Sequence, residues 1–153
     1  MEGWKVLNVY GHFQIRIPTS AAARIEEDES TAAIRLGTFD DATEILISNY
    51  PLPEALRAQA TRRDAVRGLV ADFFNRAVKK AVGHEVAFEC DVTEDLENRA
   101  WCAQGVANIE GERYWIAKVC AQNGDDSFWL MHWNGPISNL KSTIYEIFGS
   151  FRV

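Results

Sequence analysis

Long apolar runs are missing from this sequence: no stretch approaches the roughly 20 residues a membrane-crossing helix needs. Insertion into a bilayer through a helix is therefore not expected. Residues 1–10 also lack a charged segment followed by an apolar one, so the expectation is a cytoplasmic protein, unless a signal peptide once preceded Met1. Positive charge is short, with 16 Lys and Arg against 22 Asp and Glu and a net charge of −6. Such a surface is poorly suited to releasing counterions from phosphates, which argues against nucleic acids and acidic membranes as partners. Cysteine is limited to Cys90, Cys102 and Cys120, an odd count within apolar, strand-like runs. Buried free thiols are the expectation. GxSxG, Walker A and GxGxxG motifs are absent, and His12, His84 and His132 form no HxH or HExxH pair. No cofactor, metal ligand set or catalytic residue is implied.

What is present is an ordinary globular composition, 47% hydrophobic and 25% charged over 153 residues, which fits one domain spanning 1–153. Trp4–Val9 and residues 12–17 have strand composition, with Tyr10-Gly11 between them as a turn and Pro18 closing the second run. In residues 19–31 a run of alanines is followed by the acidic cluster Glu26-Glu27-Asp28-Glu29, which reads as a solvated loop or short helix. Residues 31–36 and 43–49 form a second predicted hairpin across the polar connection 37–41.

The period then changes. After the break at Tyr50-Pro51-Leu52-Pro53, apolar residues at Val66, Leu69, Val70, Phe73, Phe74, Ala77, Val78 and Ala81 mark one face of a long helix. Thr61 and Asp64 resemble a capping box, and Gly83 follows Lys79 and Lys80 as a C-terminal stop. Asp72, Arg76 and Lys79 occupy the opposite, solvent face.

From residue 86 the period returns to two, over residues 86–93, 100–109, 113–121 and 128–133. Glu110-Gly111 and Gly124-Asp125 supply turn residues, so the last three strands form an antiparallel meander. Asp91, Glu94, Asp95 and Glu97 read as solvated carboxylates in a loop between strands. After Asn134-Gly135-Pro136, Ser138 or Asn139 can cap a terminal helix with the apolar face Leu140, Ile144, Ile147 and Phe148, stopped by Gly149.

If both turns of the meander close with two residues, Trp101 faces Cys120, Ala107 faces Tyr114 and Cys120 faces Trp129. Alternation then places Trp101, Ala103, Gly105, Ala107, Tyr114, Lys118, Trp129 and Trp133 on one face, and Cys102, Trp115, Phe128 and His132 on the other. With both faces apolar, helices are expected on both sides. The fold class is therefore α+β: an α/β/α sandwich with a mostly antiparallel sheet of about six to eight strands, one long helix and one C-terminal helix. In this register Cys102 and Cys120 point to opposite faces, which argues against a disulfide between them.

The first face sets large aromatics beside small residues and so outlines a groove. Either the terminal helix fills it, or Trp101, Tyr114, Lys118, Trp129 and Trp133 bind a partner segment there. The leading expectation is a non-catalytic protein-interaction module, a chaperone, adaptor or assembly factor, whose partner is another protein or peptide. The alternative is a small-ligand or lipid binder with a pocket between sheet and helix, and third comes a thiol or hydrolytic enzyme using Cys102 or Cys120 with His132. A homodimer through a sheet edge is compatible with the sequence, the strand beginning at Phe128 being the candidate edge.

Two short motifs carry a resemblance. Gly11-His12-Phe13-Gln14-Ile15-Arg16-Ile17-Pro18 opens the chain and Ile147-Phe148-Gly149-Ser150-Phe151-Arg152 closes it, around the order of paired strands, long helix, meander and terminal helix. This order resembles the PsbP-like superfamily, which includes the PsbP subunits of photosystem II, the MOG-type Ran-binding factor and many small bacterial proteins. Members commonly carry a tryptophan soon after the opening proline, whereas Thr19-Ser20-Ala21-Ala22 follows Pro18 here. The resemblance implies an α/β/α sandwich and a role in binding another protein, since characterised members are assembly factors, cofactors or effector chaperones.

Overall fold

The computed structural model describes residues 3–9, 12–26, 31–36, 44–57, 62–97, 99–111, 113–122, 124, 126–136 and 141–153. The predicted features at Tyr10-Gly11, Glu27 to Glu29, residues 37–41, Thr61, Asp125, Ser138, Asn139 and Leu140 lie outside the described residues.

Seven strands build one antiparallel sheet: β3 (Ala22–Ile25), β4 (Thr31–Arg35), β5 (Glu44–Pro51), β6 (Glu89–Asp95), β7 (Ala100–Glu110), β8 (Arg113–Gln122) and β9 (Ser127–Pro136), in the spatial order β3-β4-β5-β9-β8-β7-β6. The first hairpin, β1 (Trp4–Val9) with β2 (Phe13–Pro18), is a separate two-stranded sheet. A short α1 (Glu54–Arg57) precedes the long helix, which runs as α2 (Arg62–Phe73), a π-helical turn over Phe74–Val78, and α3 (Lys79–Val82). The terminal helix is α4 (Lys141–Ser150). The fold is the expected α+β class.

The sheet separates two cores. On one side β2 and α4 bury Ile15, Ile17, Ile144, Ile147 and Phe148 against Ile116, Met131 and Trp133. On the other, Val66, Val70, Phe74 and Val78 of the long helix meet Ala103, Ala107, Ala117 and Val119. The long helix ends as its sequence dictates: Gly83 adopts φ +80° and its N–H donates to the Lys79 carbonyl at 2.7 Å. Arg76 and Asp72 form an exposed i,i+4 ion pair at 2.8 Å.

Four expectations need correction. Ala22–Ile25, where the sequence predicts no strand, forms one; its four residues are all exposed, so no apolar alternation marks it. Asp91, Glu94 and Asp95 lie within β6, where carboxylates on an edge strand discourage pairing with other chains. The strand beginning at Phe128 is not an edge, since β9 sits between β5 and β8.

The fourth concerns register. Cys120 does pair with Trp129, but the β7–β8 ladder shifts between Asn108 and Glu110, so Trp101 pairs with Ala121 and Cys102 with Cys120. One extra residue, Ile109, turns every side chain of β7 to the other face. Trp101, Ala103, Gly105 and Ala107 therefore face the long helix, and Cys102 joins Cys120 on the α4 side. Their Cα atoms are 4.2 Å apart and they form a disulfide, leaving Cys90 as the free cysteine. Gly105 is where the long helix comes nearest: a Cβ there would lie 2.6 Å from Phe74 Cε2 and 2.7 Å from Val70 Cγ1.

Gly105→Ala should consequently destabilise the fold by about 1–3 kcal/mol, read by urea unfolding, through overpacking against Phe74 and Val70. The opposite register would leave this substitution neutral. Alkylation of the denatured, unreduced chain should modify Cys90 alone, and prior reduction should make all three cysteines reactive.

Candidate functional site

Tyr114, Lys118, Trp129 and Trp133 share the α4 face of the sheet, while the shifted register sends Trp101, partly buried, to the long-helix side. The groove of large beside small residues is thus not formed. Trp133 is fully buried and Trp129 is 7% exposed, so the β2 and α4 layer covers them. Tyr114 stays half-buried at the rim beside Tyr145, whose phenol is pushed up by burial and then by Tyr114 and Glu89.

Lys118 has a structural task. It is 7% exposed, and its Nζ donates to the carbonyls of Phe148 (2.7 Å), Phe151 (2.8 Å) and, more weakly, Gly149 (3.4 Å). The last carbonyls of a helix have no intrahelical partners, and a cation there also suits the helix dipole. Gly149 does not stop α4, which continues to Ser150. The end is organised instead by Lys118 and by Ser150, whose Oγ donates to the Ile147 carbonyl and accepts from the Arg16 N–H. Beyond it, Arg152 and Gln14 exchange two backbone hydrogen bonds. Burial pushes the Lys118 ammonium down to about 8.

The thiol-enzyme arrangement is not formed either. Cys102 and Cys120 are bonded to each other, and His132 lies on the opposite face against the Phe73 ring at 5.5 Å. Burial lowers the His132 pKa and raises that of the Cys90 thiol, so both are held neutral. Among the described residues no group of three or more His, Cys, Asp or Glu side chains could hold a metal ion, and no helix is long and apolar enough to cross a membrane.

Two surface features went unrecognised in the sequence. On the long-helix side the helix packs mainly on β6, β7 and β8, with Phe73 reaching His132 of β9, and β5, near the middle of the sheet, exposes Leu46 (39%) and Tyr50 (45%). This shelf is backed on β9 by Phe128, which is buried and 5.7 Å from Tyr50 between ring centroids, and by half-buried His132, paired across the strands with Leu46. Arg35, Glu44 and Arg24 border it, with Glu44 3.4 Å from Arg35 and 3.9 Å from Arg24. On the other side, at the end of the sheet, two adjoining cavities of about 290 and 190 Å³ share His12, Gln122 and Val153. Trp129, against which His12 packs edge-on at 5.7 Å, lines the smaller one.

No family model matches the chain, and no curated protein matches its sequence. Solved structures do. Cyanobacterial PsbP (CyanoP) from Synechocystis sp. PCC 6803 superposes with a TM-score of 0.61 at 11% identity, over 100% of this chain and 94% of that one. The chain has the PsbP/Mog1 fold. The Ran-binding protein Mog1p of Saccharomyces cerevisiae gives a TM-score of 0.56 at 9% identity, covering 99% of this chain and 95% of its own. A Mog1 point mutant gives 0.55 at 11% identity, covering 97% and 95%. At such identity the PsbP/Mog1 fold is what is shared, and the site must be argued from this chain's residues.

Lys118→Met should lower stability by about 1–3 kcal/mol, because it removes the donor from the Phe151 carbonyl and leaves the Phe148 carbonyl only a long bond from the Phe151 N–H at 3.3 Å. Between pH 8 and 10.5 the unfolded chain keeps the lysine proton that the folded chain has released, so this group makes stability rise with pH across that window. Urea unfolding through the window should show the gap between the native protein and the variant widening as pH increases.

Proposed function

We propose that the protein is a non-catalytic interaction module that binds another protein through the apolar shelf on β5 and β9. The observation that carries this reading is the exposure of Leu46 and Tyr50 on a strand with neighbours on both sides. An antiparallel sheet can leave one face to water, but that face is then normally polar, so exposed apolar side chains such as Leu46 and Tyr50 on it suit an interaction site. The Arg24, Glu44 and Arg35 group supplies the charged border that interfaces usually have around an apolar centre. The likeness in fold to a Ran-binding protein supports the class of function without naming the partner. The partner seat therefore moves from the Trp129 and Trp133 face, which is covered, to the opposite side of the sheet.

The Cys102–Cys120 disulfide fits an oxidising compartment better than the cytoplasm suggested by residues 1–10. Affinity capture from an extract of the native source, comparing the protein with its Leu46→Glu and Tyr50→Ser variants, tests the reading. A captured protein should be retained at least about tenfold less well by each variant, the loss expected for a central apolar contact. Both substitutions are at exposed positions, so unfolding midpoints should hardly move. Equal capture by all three proteins, or no specific capture, would sink the proposal.

A further inference from the structure

The cleft at the end of the sheet has a lining unlike the shelf. Asn8 and Gln14 from the first hairpin, Asn49 from β5 and Gln122 from β8 bring four side-chain amides to its two adjoining cavities. His12 lines both cavities, and the Trp129 ring contributes an aromatic wall. These residues come from segments far apart in sequence, held together by the Gln14 and Arg152 backbone pair and by Asn49, whose Nδ2 donates to the Phe128 carbonyl at 3.1 Å. Asn8 is exposed and Gln14, Asn49 and Gln122 are half-buried, so the amides are accessible from solvent while being fixed by ordered strands.

A primary amide carries donors and an acceptor side by side and no charge. Gln14 accepts from the Arg152 guanidinium and Asn49 donates to the Phe128 carbonyl, and the polar atoms that remain on these two, with the Asn8 and Gln122 amides, suit a ligand that offers alternating N–H and C=O groups, which is the main chain of an extended peptide. We infer that this cleft receives a short extended segment of a partner protein and recognises it through its backbone. The two cavities together approach the size of ordinary ligand sites, and backbone recognition by a preformed surface is a recurring way of holding extended chains. The source of the segment rests on the protein-binding reading above; the cleft chemistry stands apart from it.

A phage-displayed random peptide library panned on the folded, disulfide-intact protein supplies the probe. Enriched clones, remade as synthetic peptides with blocked ends, should bind the native protein and the Leu46→Glu variant alike. They should bind Gln122→Leu and Asn8→Leu at least about tenfold more weakly, with near-ultraviolet circular dichroism confirming that the variants fold. Methylating one backbone nitrogen of such a peptide should abolish binding. The inference is overturned if no clone is enriched, if clones ignore the cleft substitutions, or if backbone methylation changes nothing. Clones that fail only on Leu46→Glu would overturn the cleft and leave the shelf standing. Capture that survives Leu46→Glu, together with clones that need Gln122, would do the reverse.

Discussion

Lys118 is the contact on which the α4 side of the molecule depends. A lysine pointing into the core from the middle of a sheet is costly unless its ammonium is hydrogen-bonded, and here the carbonyls of Phe148 and Phe151 accept from it within 2.8 Å. The dependence runs both ways, because the Phe148 carbonyl in the last turn of α4 otherwise has only a long bond from the Phe151 N–H at 3.3 Å, and Phe151 follows directly after the helix. The apolar contacts of Ile144, Ile147 and Phe148 hold α4 to the sheet but are non-directional. The lysine adds a fixed point along the helix axis. With the helix end set, Ser150 reaches Arg16 and Arg152 pairs with Gln14, which ties the chain's last residues to the first hairpin.

Much of the fold was legible before any coordinates. The segments forming β1, β2, β4, β5, β7, β8 and β9 have strand composition bounded by turn residues, the long helix shows its apolar face and its Gly83 stop, and the pairing of Cys120 with Trp129 follows from a short turn. The register of β7 was not legible. Nothing in Ile109-Glu110-Gly111 distinguishes a plain two-residue turn from one preceded by a bulge, yet that single residue exchanges the faces of the whole strand. The consequences are large: a disulfide instead of two free thiols, and a flat strip of Ala103, Gly105 and Ala107 under the long helix instead of a groove floor. The small residues are visible in the sequence, but the side they occupy is set by the bulge.

The proposed binding surface is harder to see for a different reason. Leu46 stands between Ile45 and Ile47, and three apolar residues in a row read as a strand buried on both faces. Whether its outward member is covered depends on which strands the long helix crosses, and that is a tertiary fact. The cleft draws on the first hairpin, β5, β8 and the chain's last residues, so no local window holds its pattern. Lys118 was read as the polar member of a binding site, since a sequence cannot show that its donors are already taken by a helix end.

The exposed shelf follows from simple dimensions. Seven strands spaced about 4.8 Å apart make a sheet roughly 29 Å across, whereas one helix with its side chains is about 10–12 Å wide. One long helix can cover two or three strands, and here it packs on β6, β7 and β8. On the other face α4 shares the task with the first hairpin, and Ile34, Ile45 and Ile47 are buried beneath that layer. No second element among the described residues performs this service on the long-helix side. At the far edge the chain meets the shortage with small and charged residues, Ala22, Arg24 and Arg35, which need no cover. At Leu46 and Tyr50 it does not, although a polar residue at either outward position would preserve the strand and remove the exposed apolar surface. Tyr50 gains a ring contact with Phe128, but more than a third of each residue stays in water, and the proposed partner would remove that remainder.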